Sequence, residues 1–114
     1  MWRYFFAFVP ASSPLPGATH GGDESWILDE HGGAPPAQVA LSQAMADWWA
    51  SLDAQGDPNA RARSGAPAWR PYAPSDNATA VMFMGNMTDA APFMGADADT
   101  ARVECEHWKP FLGW

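Results

Sequence analysis

The 114-residue sequence predicts an α/β fold. Three features predict it: short apolar runs without polar alternation, segments whose apolar residues recur at helical spacing, and long Gly- and Pro-rich loops between them. Trp2-Arg3-Tyr4-Phe5-Phe6-Ala7-Phe8-Val9, ended by Pro10, reads as a strand buried on both faces, as in a parallel sheet. Such a strand needs strands on both sides and helices above and below it. A second apolar run, Thr79-Ala80-Val81-Met82-Phe83-Met84, reads as its neighbour in one sheet.

Between the strands, residues 10–19 carry only loop signals, among them Ser12, Ser13, Pro14, Pro16 and Gly17. His20-Gly21-Gly22-Asp23-Glu24-Ser25-Trp26-Ile27-Leu28 follows, with a short helical turn expected at its end. The strongest helix spans residues 37–54. Leu41, Met45, Trp48 and Leu52 form its apolar stripe, Val39 and Trp49 widen it, and several alanines favour the helical state. Gly56 stops that helix, and Asp57-Pro58-Asn59 turns the chain. Residues 97–112 read as a last helix, capped by Asp97 or Asp99, with Ala101, Cys105, Trp108 and Leu112 on its apolar face. About two sheet strands with packing helices are too few to be stable in isolation, so the pattern reads as an excerpt of a larger fold, incomplete on its own.

Composition narrows the function classes. The chain is 47% apolar and carries 7 tryptophans, enough for a core and against disorder, while 10 glycines and 11 prolines demand many loops. Its net charge is −7, from 13 acids against 6 bases. Lys109 is the one lysine and the arginines are scattered, so no basic stripe exists to meet nucleic-acid phosphates. No apolar run approaches the roughly 18 residues of a membrane span, and residues 2–9 lack the parts of a signal peptide. The single cysteine, Cys105, cannot close an internal disulfide and reads as a buried thiol on a helix. Two N-x-T sequons, Asn77-Ala78-Thr79 and Asn86-Met87-Thr88, lean slightly towards the secretory pathway.

The chemistry rests on the histidines. His20 and His31 each open a His-Gly-Gly triplet, but each lacks the third glycine of an oxyanion loop, and no Gly-x-Ser-x-Gly elbow occurs. His20, Asp23, His31 and Cys105-Glu106-His107 match no metal-ligand spacing, so no metal site is expected. His31 and His107 read as structural histidines. His20 differs: it lies in a Gly-rich loop beyond a buried strand, where α/β enzymes carry reactive groups. Gly17, Gly21 and Gly22 let that loop turn tightly. It reads either as a presented base or as an ordinary loop histidine.

Several motifs in order carry a family resemblance. Gly17-Ala18-Thr19-His20-Gly21-Gly22-Asp23 resembles the G-x-x-H-G-x-E loop around the catalytic histidine of type-B carboxylesterases and cholinesterases. Leu41-Ser42-Gln43-Ala44-Met45-Ala46-Asp47-Trp48-Trp49 is similar to their L-S-x-x-M-x-x-x-W helix, and Gly56-Asp57-Pro58-Asn59 to their T-G-D-P-N turn. Trp69-Arg70-Pro71-Tyr72 resembles W-P-x-Y, and Arg102-Val103-Glu104-Cys105-Glu106-His107-Trp108 resembles the terminal R-x-x-x-C-x-F-W. Asp23 stands where the family usually has Glu, Arg70 interrupts W-P, and His107 replaces an aromatic. Gly22 stands where cholinesterases carry a tyrosine facing the substrate's cationic group, so the resemblance does not extend to choline-ester specificity.

The resemblance implies that residues 1–114 are the C-terminal part of an α/β-hydrolase domain, with no separate second domain. It implies a carboxylic ester hydrolase with His20 as catalytic base, and Asp23 and the 37–54 helix positioning its loop. The serine nucleophile and the acidic triad member would come from the remainder of the domain upstream. The substrate would be a small-molecule ester, no metal or organic cofactor would be required, and the chain alone is expected to be inactive. The alternative is a catalytically dead fragment or an interaction module. The family's habit adds to the lean towards secretion and leaves open whether Cys105 pairs with an upstream cysteine.

Overall fold

A computed structural model describes residues 1–14, 17–73, 80–86 and 89–96. In chain order the elements are β1 (Tyr4–Phe6), α1 (Glu24–Ile27), α2 (Pro36–Gln55), β2 (Ala80–Met84) and β3 (Phe93–Ala96). The sheet order is β1-β2-β3, with β1 parallel to β2 and β3 antiparallel to it. Parallel pairing of β1 with β2 requires a long crossover, and α1 and α2 lie within it. The expected neighbourhood of the two apolar runs is therefore found, with Phe5 facing Phe83 in the register.

The helix of the crossover is set by its ends and its stripe. It starts at Pro36, one residue before the predicted start, because a proline in the first turn forfeits no intrahelical bond. It closes on Gly56, at φ 71°, whose N–H donates to the Leu52 carbonyl at 2.8 Å. Leu41, Met45 and Trp48 are wholly buried, as the periodicity predicts. Ser42 and Ser51 share that buried face. Ser42 is satisfied, its hydroxyl donating to the Trp26 carbonyl at 3.0 Å and tying α1 to α2.

One face of the sheet meets the helices. Tyr4, Phe6, Met82, Met84 and Met94 join Trp26, Leu41, Met45, Trp48 and Trp69 in one apolar cluster. The opposite face carries a phenylalanine ladder. Phe5 lies 5.8 Å from Phe83, and Phe83 stacks on Phe93 at 4.9 Å. A Cβ at Gly95 would collide with the Phe83 ring, so the ladder needs glycine there.

β1 has 3 residues, not the whole 2–9 run, and they are half-buried rather than covered on both faces. Among the described residues β2 is its one strand partner, and beyond Phe6 the chain leaves the ladder to bury Phe8 against Trp26, 5.3 Å away. β3 was not expected: Pro92 before it and Gly95 within it disguise a strand that exists through pairing with β2. The predicted 97–112 helix, with Cys105 and His107, lies outside the described residues, as does Asn77.

Candidate functional site

His20 sits at the second position of a tight turn. The Gly22 N–H donates to the Thr19 carbonyl at 2.9 Å, closing the turn over His20 and Gly21. Gly21 has φ 71°, while His20 keeps a negative φ, the arrangement of a type II turn. Gly22 is constrained by space rather than φ, since a Cβ there would lie 2.9 Å from the Thr19 carbonyl oxygen. Both glycines are thus required by geometry, and they bring the imidazole to the surface. His20 is exposed, and no hydrogen bond or ion pair to it is formed among the described residues.

The turn ends on Asp23, which leads into α1. Its side chain does not cap that helix. Instead Asp23 Oδ2 accepts a hydrogen bond from the Tyr4 hydroxyl at 2.6 Å, joining the loop to β1. Burial of the phenol, and then its bond to the Asp23 carboxylate, push the Tyr4 pKa up to about 12. Tyr4 therefore remains a protonated donor throughout the neutral range. Its ring is held edge-on by Trp49 at 4.8 Å and by Trp69 at 6.1 Å.

Trp69 in turn is held by a turn that follows α2. Asp57 Oδ1 accepts from the Asn59 backbone N–H at 2.9 Å and from Asn59 Nδ2 at 3.0 Å. Asn59 then pairs with the Trp69 backbone, donating to its carbonyl at 2.8 Å and accepting from its N–H at 2.7 Å. The Trp69 indole donates to the Arg3 carbonyl at 3.1 Å, so the chain of contacts closes on the residue before β1. The segments around Tyr4, Trp49, Asn59 and Trp69, separate in sequence, thus pack together, and the Asp23–Tyr4 bond ties the histidine turn to them.

His31 is placed differently. Its ring stacks on Trp26 at 3.8 Å, and its Nε2 lies 2.9 Å from Ser25 Oγ. These contacts clasp the loop after α1 and suit a structural histidine. A cleft of about 240 Å³ beside them is lined by Phe8, Thr19, Gly22, Ser25 and His31, among others, but not by His20. The structure does not bring His20 and His31 into one site. The Ser25–His31 contact was not foreseen, since nothing at that spacing marks it. Tyr4 was also missed, because a tyrosine inside an apolar run reads as core.

Among the described residues no group of three or more His, Cys, Asp and Glu side chains is arranged to hold a metal ion. No helix among them is long and apolar enough to cross a membrane.

Neither a protein-family model nor a curated protein matches the chain. Among solved structures it is similar to a chain described as PNB esterase, with a TM-score of 0.65 and 17% sequence identity. The likeness covers 90% of this chain and 20% of that one, so the chain spans about a fifth of its neighbour's length. At that identity the likeness is one of fold: a mixed sheet with helices, arranged as in part of an esterase.

Proposed function

We propose that the chain forms the C-terminal part of a type-B carboxylesterase-like α/β-hydrolase, to which it supplies the catalytic base, His20. The observation that carries this reading is the placement of His20, exposed on a glycine-built turn in the loop leaving the carboxyl end of β1. Loops at the carboxyl ends of parallel strands are where α/β enzymes hold reactive groups. The esterase-like fold of the described residues supports the same reading.

In this reading a serine from the upstream part of the domain attacks the ester carbonyl. His20 takes the serine proton as the tetrahedral intermediate forms, then delivers it to the departing alcohol. Water, deprotonated by the same imidazole, then attacks the acyl-serine carbonyl, and the imidazole returns that proton to the serine oxygen as the ester bond to serine breaks and the acid leaves. An upstream carboxylate holds the imidazole in the tautomer that leaves its other nitrogen free to accept. The base must be open to a serine and a carboxylate from elsewhere in the domain, and His20 is exposed, with no hydrogen bond to another described residue. No Gly-x-Ser-x-Gly elbow occurs in residues 1–114, so these residues alone are expected to turn over no ester.

A fluorophosphonate probe tests this in the natural full-length protein carrying residues 1–114. One serine outside these residues should be labelled, and His20→Ala should slow the labelling by orders of magnitude. Labelling that is unaffected by His20→Ala would refute the assignment.

A further inference from the structure

We propose that Tyr4 is a positioning residue for the histidine turn: its hydroxyl, bonded to Asp23 at 2.6 Å, fixes the end of the turn to β1 and so sets where His20 is presented. The proposal rests on the reading of His20 as the esterase base.

His20 makes no hydrogen bond of its own among the described residues, so its position depends on the backbone that carries it. That backbone has a local closure, Gly22 to Thr19, and a long-range tether at Asp23. Asp23 occupies the N-cap position of α1, where a carboxylate ordinarily accepts from the helix's first N–H groups, a contact worth about 1 kcal/mol. It forgoes that cap and turns to Tyr4 instead. A side chain diverted from its local partner to one 19 residues away anchors tertiary structure rather than the helix end.

Tyr4 is equipped to act as the fixed point. Its backbone is registered opposite Met82 in the parallel ladder, and its ring packs edge-on against Trp49 and Trp69, which also contact each other at 5.5 Å. Trp69 is itself fastened to Asn59 and Arg3. The tether thus runs from the contacts that join β1, α2 and the Asn59 turn to the turn bearing His20. The phenol keeps its proton well above neutral pH, so the donor persists across the range in which an imidazole works as a base.

The test compares wild type, Tyr4→Phe, Asp23→Asn and the double variant in the natural full-length protein. Hydrogen exchange reads the turn, steady-state ester hydrolysis reads its consequence, and thermal unfolding controls for the fold. Tyr4→Phe should raise exchange in residues 19–24 by roughly 10-fold while α2 is unchanged. It should lower kcat about 10- to 100-fold with KM nearly constant, because a misplaced base affects the chemical step. The double variant should be no worse than the more impaired single one. Exchange in residues 19–24 that stays at the wild-type level in Tyr4→Phe overturns the proposal, as do additive losses in the double variant. If instead the turn loosens as expected but His20→Ala does not affect hydrolysis, Tyr4 positions the turn and the esterase reading of His20 fails.

Discussion

The Asn59 side-chain amide pairs with the backbone of Trp69 as a neighbouring peptide group would, donating to its carbonyl at 2.8 Å and accepting from its N–H at 2.7 Å. Asp57 holds the same amide from the other side. An amide is the one short side chain that offers donor and acceptor in this geometry, which accounts for the asparagine after Pro58. Asn59→Ala should therefore cost about 1–3 kcal/mol, since it leaves the Trp69 N–H and carbonyl without their partner. Asn59→Asp should cost at least as much, because it loses the donor and sets a second carboxylate beside Asp57. Urea unfolding of the two variants measures both, and wild-type stability in Asn59→Ala would show the pairing to be incidental.

Two glycines with nearly the same backbone should respond differently to alanine. Gly56 and Gly85 have φ of 71° and 74°. Gly56 faces open space, whereas a Cβ at Gly85 would lie 2.7 Å from the Asp89 carbonyl oxygen and 2.8 Å from Phe8 Cβ. Gly56→Ala should cost about 1 kcal/mol, the left-handed penalty alone. Gly85→Ala should cost a further 1–3 kcal/mol or so from overpacking. Equal losses, read by chemical denaturation, would contradict the close packing of Phe8 under β2.

The Tyr4 phenol links stability to alkaline pH. Its folded pKa, about 12, exceeds its ordinary value of 10.0. The folded state therefore holds its proton more tightly than the unfolded chain does. That contribution is fully present below pH 10, and it is lost as pH rises through the folded value. Between those limits the wild type should lose stability more steeply than Tyr4→Phe, in which the group is absent. Parallel pH–stability curves for the two would place the phenol in ordinary solvent.

What was legible in the sequence was what is locally encoded. The α2 periodicity, its stop at Gly56 and the β2 run all appear close to where the spacing predicts them. The apolar run at residues 2–9 overstated β1, because apolarity alone does not separate a strand residue such as Phe6 from a core residue in coil such as Phe8. β3 was illegible, since Phe-Met-Gly-Ala becomes a strand only by pairing with β2 and stacking Phe93 on Phe83. Within the site, Gly21 and Gly22 announced the turn around His20. The Tyr4 tether did not announce itself, because it joins residues brought together by the crossover rather than by spacing.

His20, and no other histidine of the chain, is the residue proposed as the base of an ester hydrolase. That role is tested most directly by His20→Ala, His31→Ala and His107→Ala in the natural full-length protein, with turnover of a simple aryl ester measured alongside unfolding. His20→Ala should leave the unfolding midpoint nearly unchanged, since an exposed turn histidine contributes little packing, yet lower turnover by roughly three or more orders of magnitude. His31→Ala should act through stability, by releasing its stack on Trp26 and its contact with Ser25, with turnover of the folded protein close to wild type. His107→Ala should change turnover only slightly. Comparable loss of turnover at His20 and His31, or none at His20, would contradict the assignment.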